Sequence, residues 1–344
     1  MKAFIINKYT KGALQLADVP TPVVGNSDVL IEVYSAGVNL LDSKIKTGEF
    51  KLILPYKLPM ILGHDVAGIV AKVGKNVKKF KVGDKVYSRP ADYHAGTFAE
   101  YVSVNEKDAA FKPKNISMNQ AASIPLVALT AWQALVERAD LKNGQKVFIQ
   151  AGSGGVGTVA IQLAKYLGAL VATTASNKSF ELLKNLGADV LIDYKTHDFE
   201  HMLKDYDAVL NSQDQKTLEK SLNILKPGGK IISISGPPTP EFAKEMVLPW
   251  YVKMITMLLS FGIRNKAQKK HVNFSFLFMR AEGSQLQEIT KLIEAEIIEP
   301  IVDKVFAFEQ TNEALEYVEG GRAKGKVVIQ IKSESQQMHS VKPH

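Results

Sequence analysis

The stretch Lys146-Val-Phe-Ile-Gln-Ala-Gly-Ser-Gly-Gly-Val-Gly-Thr158 decides the fold of this chain. It begins as a β-rich run, contains G-x-G-x-x-G at Gly152, Gly154 and Gly157, and opens an amphipathic helical pattern. In such a loop the first glycine permits a sharp turn, the second lets backbone approach a pyrophosphate, and the third lets the helix pack closely on the strand. Free N–H groups at the helix start then face the phosphates. A tight turn without a ligand is the alternative, but the strand and helix on either side favour dinucleotide binding.

The residues after this loop alternate between strand and helix patterns. Strands are predicted at 170–174, 190–193, 208–210 and 230–235, with helices between them, of which two end at Gly168 and Gly187. A third helix is expected to pass through Leu218, Leu222 and Leu225. Strands that alternate with helices indicate a parallel sheet with right-handed crossovers. The fold class is therefore α/β.

The regions on either side of this segment have a different character. Up to about residue 125 the chain shows short β-branched runs separated by turn residues, which is typical of a small β-barrel. Residues 120–139 read as two helical pieces, and mixed strands and helices return after about residue 270. The polar residues 336–344 are expected to be a disordered tail.

Composition limits the chemistry. The chain has 344 residues, enough for about two domains, and it has no cysteine, which excludes disulfides, thiol nucleophiles and cysteine-ligated zinc. The short apolar N-terminal run reads as a strand rather than a signal peptide, so a cytoplasmic location is expected. Residues 246–263 are apolar but interrupted by Pro249 and Lys253, which predicts a packed helix, or one that covers a pocket or dimer surface, rather than a membrane span.

The chain is basic, with a net charge of +8. The densest lysine cluster, at 72–85, alternates with valines and a phenylalanine, which is the pattern of a solvated β face. A nucleic-acid partner is therefore not expected, although RNA binding is an alternative because the net charge is positive.

Several further segments resemble the medium-chain dehydrogenase/reductase superfamily, and they occur in that family's order. They are Ala36-Gly-Val-Asn39 with Asp42, Gly63–Gly74, Phe80–Val86, Leu129-Thr-Ala-Trp132, Leu186-Gly-Ala-Asp189, Leu225-Lys-Pro-Gly-Gly229 and Gly325-Lys-Val-Val-Ile329. The branch they resemble is that of the zinc-independent, zeta-crystallin-like quinone oxidoreductases. The resemblance implies a GroES-like barrel formed by residues 1–125 and 270–335, a Rossmann domain at 126–269, a cofactor in the cleft between them, and a homodimer through the Rossmann sheet edge.

His64 occupies the position of a zinc ligand in zinc-dependent relatives, but the cysteines of such sites are missing, so no metal is expected. Without zinc as Lewis acid, conjugated acceptors are easier to reduce than simple ketones. Hydride addition to a quinone or an enone leaves a delocalised anion that hydrogen bonds can stabilise.

The end of the second Rossmann strand predicts the cofactor. An NAD-binding domain places an acid there, but this strand runs into Ala175-Ser-Asn-Lys178 without one. A hydroxyl and an ammonium attract a 2′-phosphate that a carboxylate would repel. The resemblance carries contacts with that phosphate onto Ser176, Lys178 and Tyr194, so NADPH is the expected cofactor; a helix cap, an exposed lysine and a packed tyrosine are the alternative.

The remaining site residues come from the resemblance, from the glycine loop and, for Ser235, from the end of a parallel strand, where ligands bind in such sheets. Asn39 is expected on the substrate or nicotinamide side, as a donor to the acceptor oxygen or a contact of the ribose, with a turn-fixing asparagine as the alternative. The cofactor-binding positions are Thr130, Gly152, Ser153, Gly154, Gly155, Val156, Gly157, Ser176, Lys178, Tyr194, Ser235, Phe276 and Phe278. Phe276 and Phe278 are equally plausible as core residues. Asn211 and Gln213 depart from the family pattern, and no proton donor stands out.

Three functions follow. The first is an NADPH-dependent, zinc-free reductase of quinones or α,β-unsaturated carbonyls. The second is an enoyl-thioester reductase or zinc-free alcohol dehydrogenase of the same superfamily. The third is an NADPH-sensing or RNA-binding protein with vestigial catalysis.

Overall fold

A computed structural model describes residues 1–94 and 96–334, and the predicted tail 336–344 lies outside them. The chain forms two compact units. Unit 1 consists of Met1–Leu129 and the segment from Arg280 onward, and unit 2 is Thr130–Met279. Unit 2 thus begins at 130 rather than 126 and ends at 279 rather than 269. The later end has a simple cause, because residues 273–276 form a strand that pairs within the sheet of unit 2.

The strands, in chain order, are β1 Lys2–Ile6, β2 Gln15–Asp18, β3 Asp28–Val38, β4 Met60–Ile61, β5 Asp65–Val73, β6 Lys85–Ser88, β7 Tyr101–Asn105, β8 Ala109–Phe111, β9 Lys146–Ile149, β10 Leu170–Ala175, β11 Val190–Asp193, β12 Tyr206–Asn211, β13 Leu225–Ser233, β14 Asn273–Phe276, β15 Val302–Ala307 and β16 Lys326–Gln330. The α-helices are α1 Leu40–Thr47, α2 Met118–Ala122, α3 Pro125–Trp132, α4 Gly155–Tyr166, α5 Phe180–Asn185, α6 Gln215–Ser221, α7 Pro240–Glu245, α8 Trp250–Lys269, α9 Gly283–Glu294 and α10 Thr311–Glu319.

Unit 1 is strand-rich, as predicted. One sheet has the order β15-β16-β3-β5-β6-β8, with β7 also on β3, and a smaller sheet has the order β2-β1-β4. The long strand β3 is the centre, because it pairs antiparallel with β5, β7 and the C-terminal strand β16. Its apolar side chains Val29, Ile31 and Val33 are buried in a core shared with β5, β6 and β7. The two ends of the chain therefore build one unit.

Unit 2 is a six-stranded sheet in the order β11-β10-β9-β12-β13-β14, and all its pairings are parallel. This confirms the predicted α/β alternation. Val147, Phe148 and Ile149 are all buried, as expected for a parallel strand covered on both faces. Gly168 and Gly187 follow α4 and α5 with φ of +80° and +100°, the left-handed conformation that ends helices at glycine.

Two predicted helices were wrong in extent. The helix expected to include Leu225 ends at Ser221, because Leu225 pairs with Tyr206 and begins β13. The helix expected between the predicted strands 190–193 and 208–210 is only a 3₁₀ turn, Phe199–His201. Between 120 and 139 the chain forms the end of α2, then α3, and then a π-helical segment, Gln133–Arg138.

The apolar segment 246–263 forms most of α8, which packs on the protein with one side only, so of the two expected forms it is not the fully packed one. Val252, Thr256 and Ser260 are buried, whereas Trp250 and Leu258 are 73% and 70% exposed. Among the helices of the described residues, none combines the length and the apolar character that crossing a bilayer requires.

A buried ion pair connects the first and last parts of the chain in unit 1. The Lys326 ammonium on β16 donates to the Asp65 carboxylate on β5, at 3.1 Å, and also to the Asn39 side chain and the Val38 carbonyl. Asp65 is fully buried and also accepts the Leu126 N–H at 2.7 Å. Burial of a charge is costly unless it is paired, so the two groups depend on each other.

Replacement of the buried cation is expected to destabilise unit 1. Lys326→Met leaves Asp65 buried without its cation, which costs about 3–5 kcal/mol of unfolding free energy. The measurement is amide hydrogen exchange of β3 and β16, because a chain of two units need not unfold in one step.

The matched control is Lys332→Met. Lys332 pairs with Glu32 at 2.7 Å, but both side chains are partly exposed, so its loss costs only about 0–1 kcal/mol. Equal loss of protection in the two variants would contradict the assigned role of Lys326.

Candidate functional site

The carboxyl edge of the sheet in unit 2 carries the glycine loop. After β9 the chain turns at Ala151, whose φ is +51°, and the Gly152 N–H donates to the Thr174 carbonyl at 3.0 Å. The Gly154 N–H donates to the Ala151 carbonyl at 3.0 Å, and α4 begins at Gly155. The predicted strand–turn–helix is thus present, and the loop is fixed to β10 by its first backbone hydrogen bonds.

The three glycines of the pattern have different environments. A Cβ at Gly152 would lie 2.2 Å from the Thr173 hydroxyl oxygen, and one at Gly157 would lie 2.5 Å from the Ala151 carbonyl oxygen. Protein atoms therefore require glycine at both positions. A Cβ at Gly154 would approach only the Ala151 carbonyl oxygen, at 3.4 Å, an ordinary contact, and its φ of −80° suits any residue. The fold does not explain glycine at 154, and the space above it fits a ligand that lies against the backbone.

The start of α4 has the chemistry of a phosphate site. Its cap residue is glycine, so no side chain accepts from the N–H groups of Gly155, Val156 and Gly157, which are unpaired by helix geometry. Ser153 and Gly154 are partly exposed, and residues 146–180 contain no Asp or Glu. Unpaired amides, positive helix dipole and absence of nearby acids in the loop fit the pyrophosphate of a dinucleotide.

Ser176 and Tyr194 are neighbours at the same edge. Ala175 and Asp193 pair in the parallel register of β10 and β11, and Ser176 and Tyr194 each follow directly. Lys178 lies on the next turn, and both Lys178 and Tyr194 are exposed. Ser176 begins that turn without using its hydroxyl as a cap. The carboxylate of Asp193, which was not among the predicted site residues, precedes Tyr194 and accepts the Lys195 N–H at 3.0 Å.

A buried polar network lies further along the edge. The Asn211 side-chain amide donates to the Gln150 side-chain oxygen (Oε1) at 2.7 Å, and the Gln150 side-chain amide (Nε2) donates to the Ser221 hydroxyl at 2.7 Å. The hydroxyls of Ser233 and Ser235 contact the Asn211 oxygen at 2.8 and 3.1 Å. The predicted residue Ser235 is thus positioned through Asn211. Gln150 and Ser233 were not predicted as site residues, although a polar residue at the end of an apolar strand is a usable signal.

The other predicted cofactor residues are placed less directly. Phe276 ends β14 and packs edge-on against Phe242 at 5.1 Å between ring centroids, and Phe278 lies 5.8 Å from the same ring. These side chains form an aromatic cluster, which supports the core alternative for their rings. Thr130 is buried in α3, the helix at which unit 2 begins.

Asn39 lies in unit 1, where its side chain is committed to the protein. Its amide donates to Asp65 at 2.9 Å and to the Gly37 carbonyl at 3.4 Å, and its oxygen accepts from Lys326. Its backbone N–H donates to Asp42, so the two residues begin α1. Both amide hydrogens are used, so Asn39 has no spare donor for an acceptor oxygen. The geometry supports the turn-fixing alternative.

Asp42 also orients His64. The two side chains are fully buried, and the Asp42 carboxylate contacts His64 Nδ1 at 2.6 Å. His64 Nε2 is buried without a partner among the described residues. Among the described residues, the one cluster of three possible metal ligands consists of Asp198, Glu200 and His201, and it does not include His64. The Lys220 ammonium already pairs with Asp198 and Glu200.

Comparison with known proteins agrees with this architecture. Residues 25–114 match the alcohol dehydrogenase GroES-like domain family, and residues 186–329 match a family described as zinc-binding dehydrogenase. The mitochondrial NAD(P)H oxidoreductase RTN4IP1 of Danio rerio is 33% identical, with 96% of this chain and 91% of that protein covered. A chloroplastic NADPH-dependent alkenal/one oxidoreductase of Arabidopsis thaliana is 34% identical, over 96% of this chain and 79% of that protein.

A solved structure gives the same answer. The quinone oxidoreductase of Coxiella burnetii superposes with a TM-score of 0.84 at 31% identity, with 96% of this chain and 99% of that chain covered. The chain has a glycine loop at the edge of a parallel sheet and a strand-rich unit built from both chain ends, and its relatives match along almost the whole chain. It therefore belongs to the medium-chain dehydrogenase/reductase superfamily.

Proposed function

We propose that the protein is an NADPH-dependent, zinc-free oxidoreductase that reduces quinones or α,β-unsaturated carbonyl compounds. The observation that carries the proposal is Gly154, where the fold leaves room for a side chain and glycine nevertheless stands beside unpaired helix amides. The Arabidopsis relative is named as NADPH-dependent and acts on alkenals and alkenones, and the Coxiella protein is a quinone oxidoreductase. The chain supplies no cysteine for a zinc site of the type found in zinc-dependent dehydrogenases.

The residues of unit 2 suggest how the cofactor is held. We assign the pyrophosphate to Ser153, Gly154 and the amides of Gly155, Val156 and Gly157, and the 2′-phosphate to Ser176, Lys178 and Tyr194. Gly152 shapes the turn. Thr130, Ser235 and the backbone at Phe276 and Phe278 are proposed for the nicotinamide end.

When bound, NADPH supplies a hydride, which reduces a quinone or the β-carbon of an enone. The contribution of the chain is binding and orientation. The Ser235 hydroxyl lies at the sheet edge. It donates its hydrogen to the Asn211 side-chain oxygen and the Gln213 carbonyl oxygen, which fix its position. No described side chain is assigned as proton donor, so protonation of the product anion is left to solvent.

The homodimer remains a prediction. Within the described residues β14 pairs on one side only, with β13, so its outer edge offers unpaired backbone groups for a second copy. The Danio rerio relative is named as mitochondrial and the Arabidopsis relative as chloroplastic, and the expected cytoplasmic location of this chain is likewise a prediction.

Gly154→Ala is expected to weaken NADPH binding without harming the fold. The new methyl group fits the protein, so the unfolding free energy changes by less than about 1 kcal/mol. It projects into the space assigned to the pyrophosphate, so the dissociation constant rises about tenfold or more, equivalent to about 1.4 kcal/mol. Titration of nucleotide fluorescence and thermal unfolding measure the two quantities.

Two further glycine variants complete this test. Gly157→Ala creates contacts of 2.5 and 2.7 Å with backbone atoms, so it is expected to lose about 1–3 kcal/mol of stability. Gly262→Ala, in α8, meets no atom within 4 Å and serves as the control for both measurements. Unchanged NADPH affinity in Gly154→Ala would contradict the assignment of the loop.

Ser176→Asp is expected to reverse the cofactor preference. The carboxylate repels the 2′-phosphate, and at a half-exposed site this lowers NADPH affinity about tenfold while NADH affinity is retained. The matched control is Ser176→Asn, which has a similar volume and no charge. Equal losses of affinity for NADPH and NADH would contradict the assignment of the 2′-phosphate to Ser176.

The proposed reaction is tested by NADPH oxidation against a panel of quinones, enones, a simple ketone and an enoyl thioester, each with and without a chelator. We expect turnover of quinones or enones that the chelator does not change. Turnover restricted to the thioester would indicate an acyl reductase instead. Absence of both NADPH binding and oxidation would end the proposal.

A further inference from the structure

The helix α8 buries mainly small and polar residues and exposes most of its large apolar ones. The residues it buries are Val252, Thr256, Ser260, Ile263 and Ala267, which recur at helical spacing and are mostly small or polar. Thr256 and Ser260 satisfy their hydroxyls within the helix, by donating to backbone carbonyls three and four residues earlier. Apart from Val252 and Ile263, the larger apolar residues of the helix therefore lie away from the buried side.

That opposite side is an exposed apolar surface. Nine of the 23 exposed large apolar side chains among the described residues lie between Val247 and Phe261. We call these nine residues, of which the first precedes the helix, the α8 face: Val247, Trp250, Tyr251, Met254, Ile255, Met257, Leu258, Leu259 and Phe261. Clustered exposure of this kind marks an interaction surface, whereas single exposed apolar residues do not.

The segment that carries the α8 face has charges of one sign only. From Met246 to Lys270 the sequence has no Asp or Glu, but it has Lys253, Arg264, Lys266, Lys269 and Lys270. Arg264 lies 3.9 Å from Glu241 and Lys266 lies 2.7 Å from Glu219. In the described part of the chain no ion pair involves Lys253, Lys269 or Lys270.

A basic groove adjoins the C-terminal end of the helix. Its volume is about 400 Å³, and its charged lining consists of one acid, Glu219, and five lysines: Lys216, Lys220, Lys266, Lys269 and Lys270. Two of these lysines are paired, Lys220 with Asp198 and Glu200, and Lys266 with Glu219. The groove therefore retains an excess of positive charge beside the apolar surface.

We propose that the α8 face and this groove dock on an anionic phospholipid bilayer. The exposed aromatic and aliphatic side chains enter the boundary between head groups and acyl chains, with Trp250 at the level that tryptophan prefers. The lysines of the groove and Lys253 contact lipid phosphates. A helix that combines large apolar residues with basic ones and lies in the plane of the interface is a known mode of reversible membrane binding.

Charge decides between a bilayer and a second copy of the chain as the occupant. In a two-fold contact the same surface meets itself. Such a contact through α8 would bring two sets of lysines together, with no acid on the helix to neutralise them. An anionic bilayer supplies the opposite charge over the whole surface.

The docking proposal does not depend on the proposed reaction. If the acceptor is a quinone that resides in membranes, the same surface brings the enzyme to it, but binding to vesicles is measurable without NADPH or any acceptor.

The test is sedimentation of the full chain with phosphatidylcholine vesicles that contain or lack phosphatidylglycerol. We expect binding to the anionic vesicles that is about tenfold or more tighter than to neutral ones and that weakens as salt is added. Leu258→Asp with Phe261→Asp should lower the partition coefficient about tenfold or more. Lys269→Glu with Lys270→Glu should remove the preference for anionic vesicles.

Matched controls place the same changes elsewhere on the surface. They are Val23→Asp with Leu52→Asp, which are also exposed, and Lys8→Glu with Lys11→Glu. Circular dichroism confirms that each variant is folded. Failure of the wild-type chain to bind anionic vesicles at low salt overturns the proposal, as does an equal loss in the control variants. If the chain binds no vesicles and Leu258→Asp with Phe261→Asp lowers its mass by light scattering, the α8 face is a contact between subunits instead.

Discussion

The close approach of α4 to the end of β9 is the constraint on which the candidate site depends. A Cβ at Gly157 would lie 2.7 Å from the Gly152 Cα, so the first turn of the helix can pack against the loop only because residue 157 is glycine. This contact aims the unpaired amides of the helix at the carboxyl edge of the sheet. It also leaves Gly154 as the one glycine of the pattern that the protein does not need for itself, and the cofactor site follows from that difference.

The parallel sheet brings the other site residues to this edge. Every strand of unit 2 runs in the same direction, so the loops that follow β9, β10, β11 and β13 all emerge at one side. Ser176 and Tyr194 become neighbours through the pairing of Ala175 with Asp193, and Ser235 is held by Asn211 on the adjacent strand. Polar residues that follow the strands thereby lie at one edge of the sheet.

Much of this could be predicted from the sequence, because the signals are local. Glycine spacing, apolar runs and the glycines that end helices indicated the loop, the sheet and the order of elements. The errors arose where a distant partner decides. Residues 273–276 were assigned to the other unit, because only their pairing with β13 shows where they belong. Whether α8 is packed on all sides or covers another surface was left open, because an apolar sequence does not show which side contacts the protein.

Asn39 shows the same division most clearly. By itself the sequence determined the α/β architecture and the glycine loop, because strand, helix and turn preferences depend on neighbouring residues. It also showed directly that the chain has no cysteine. Only the tertiary structure decided that the Asn39 amide is committed to Asp65 and its oxygen to Lys326, which lies 287 residues away. It likewise decided that large apolar side chains of α8 face outward. Hydrogen-bond partners and burial are properties of surfaces that meet in space, and no local pattern contains them.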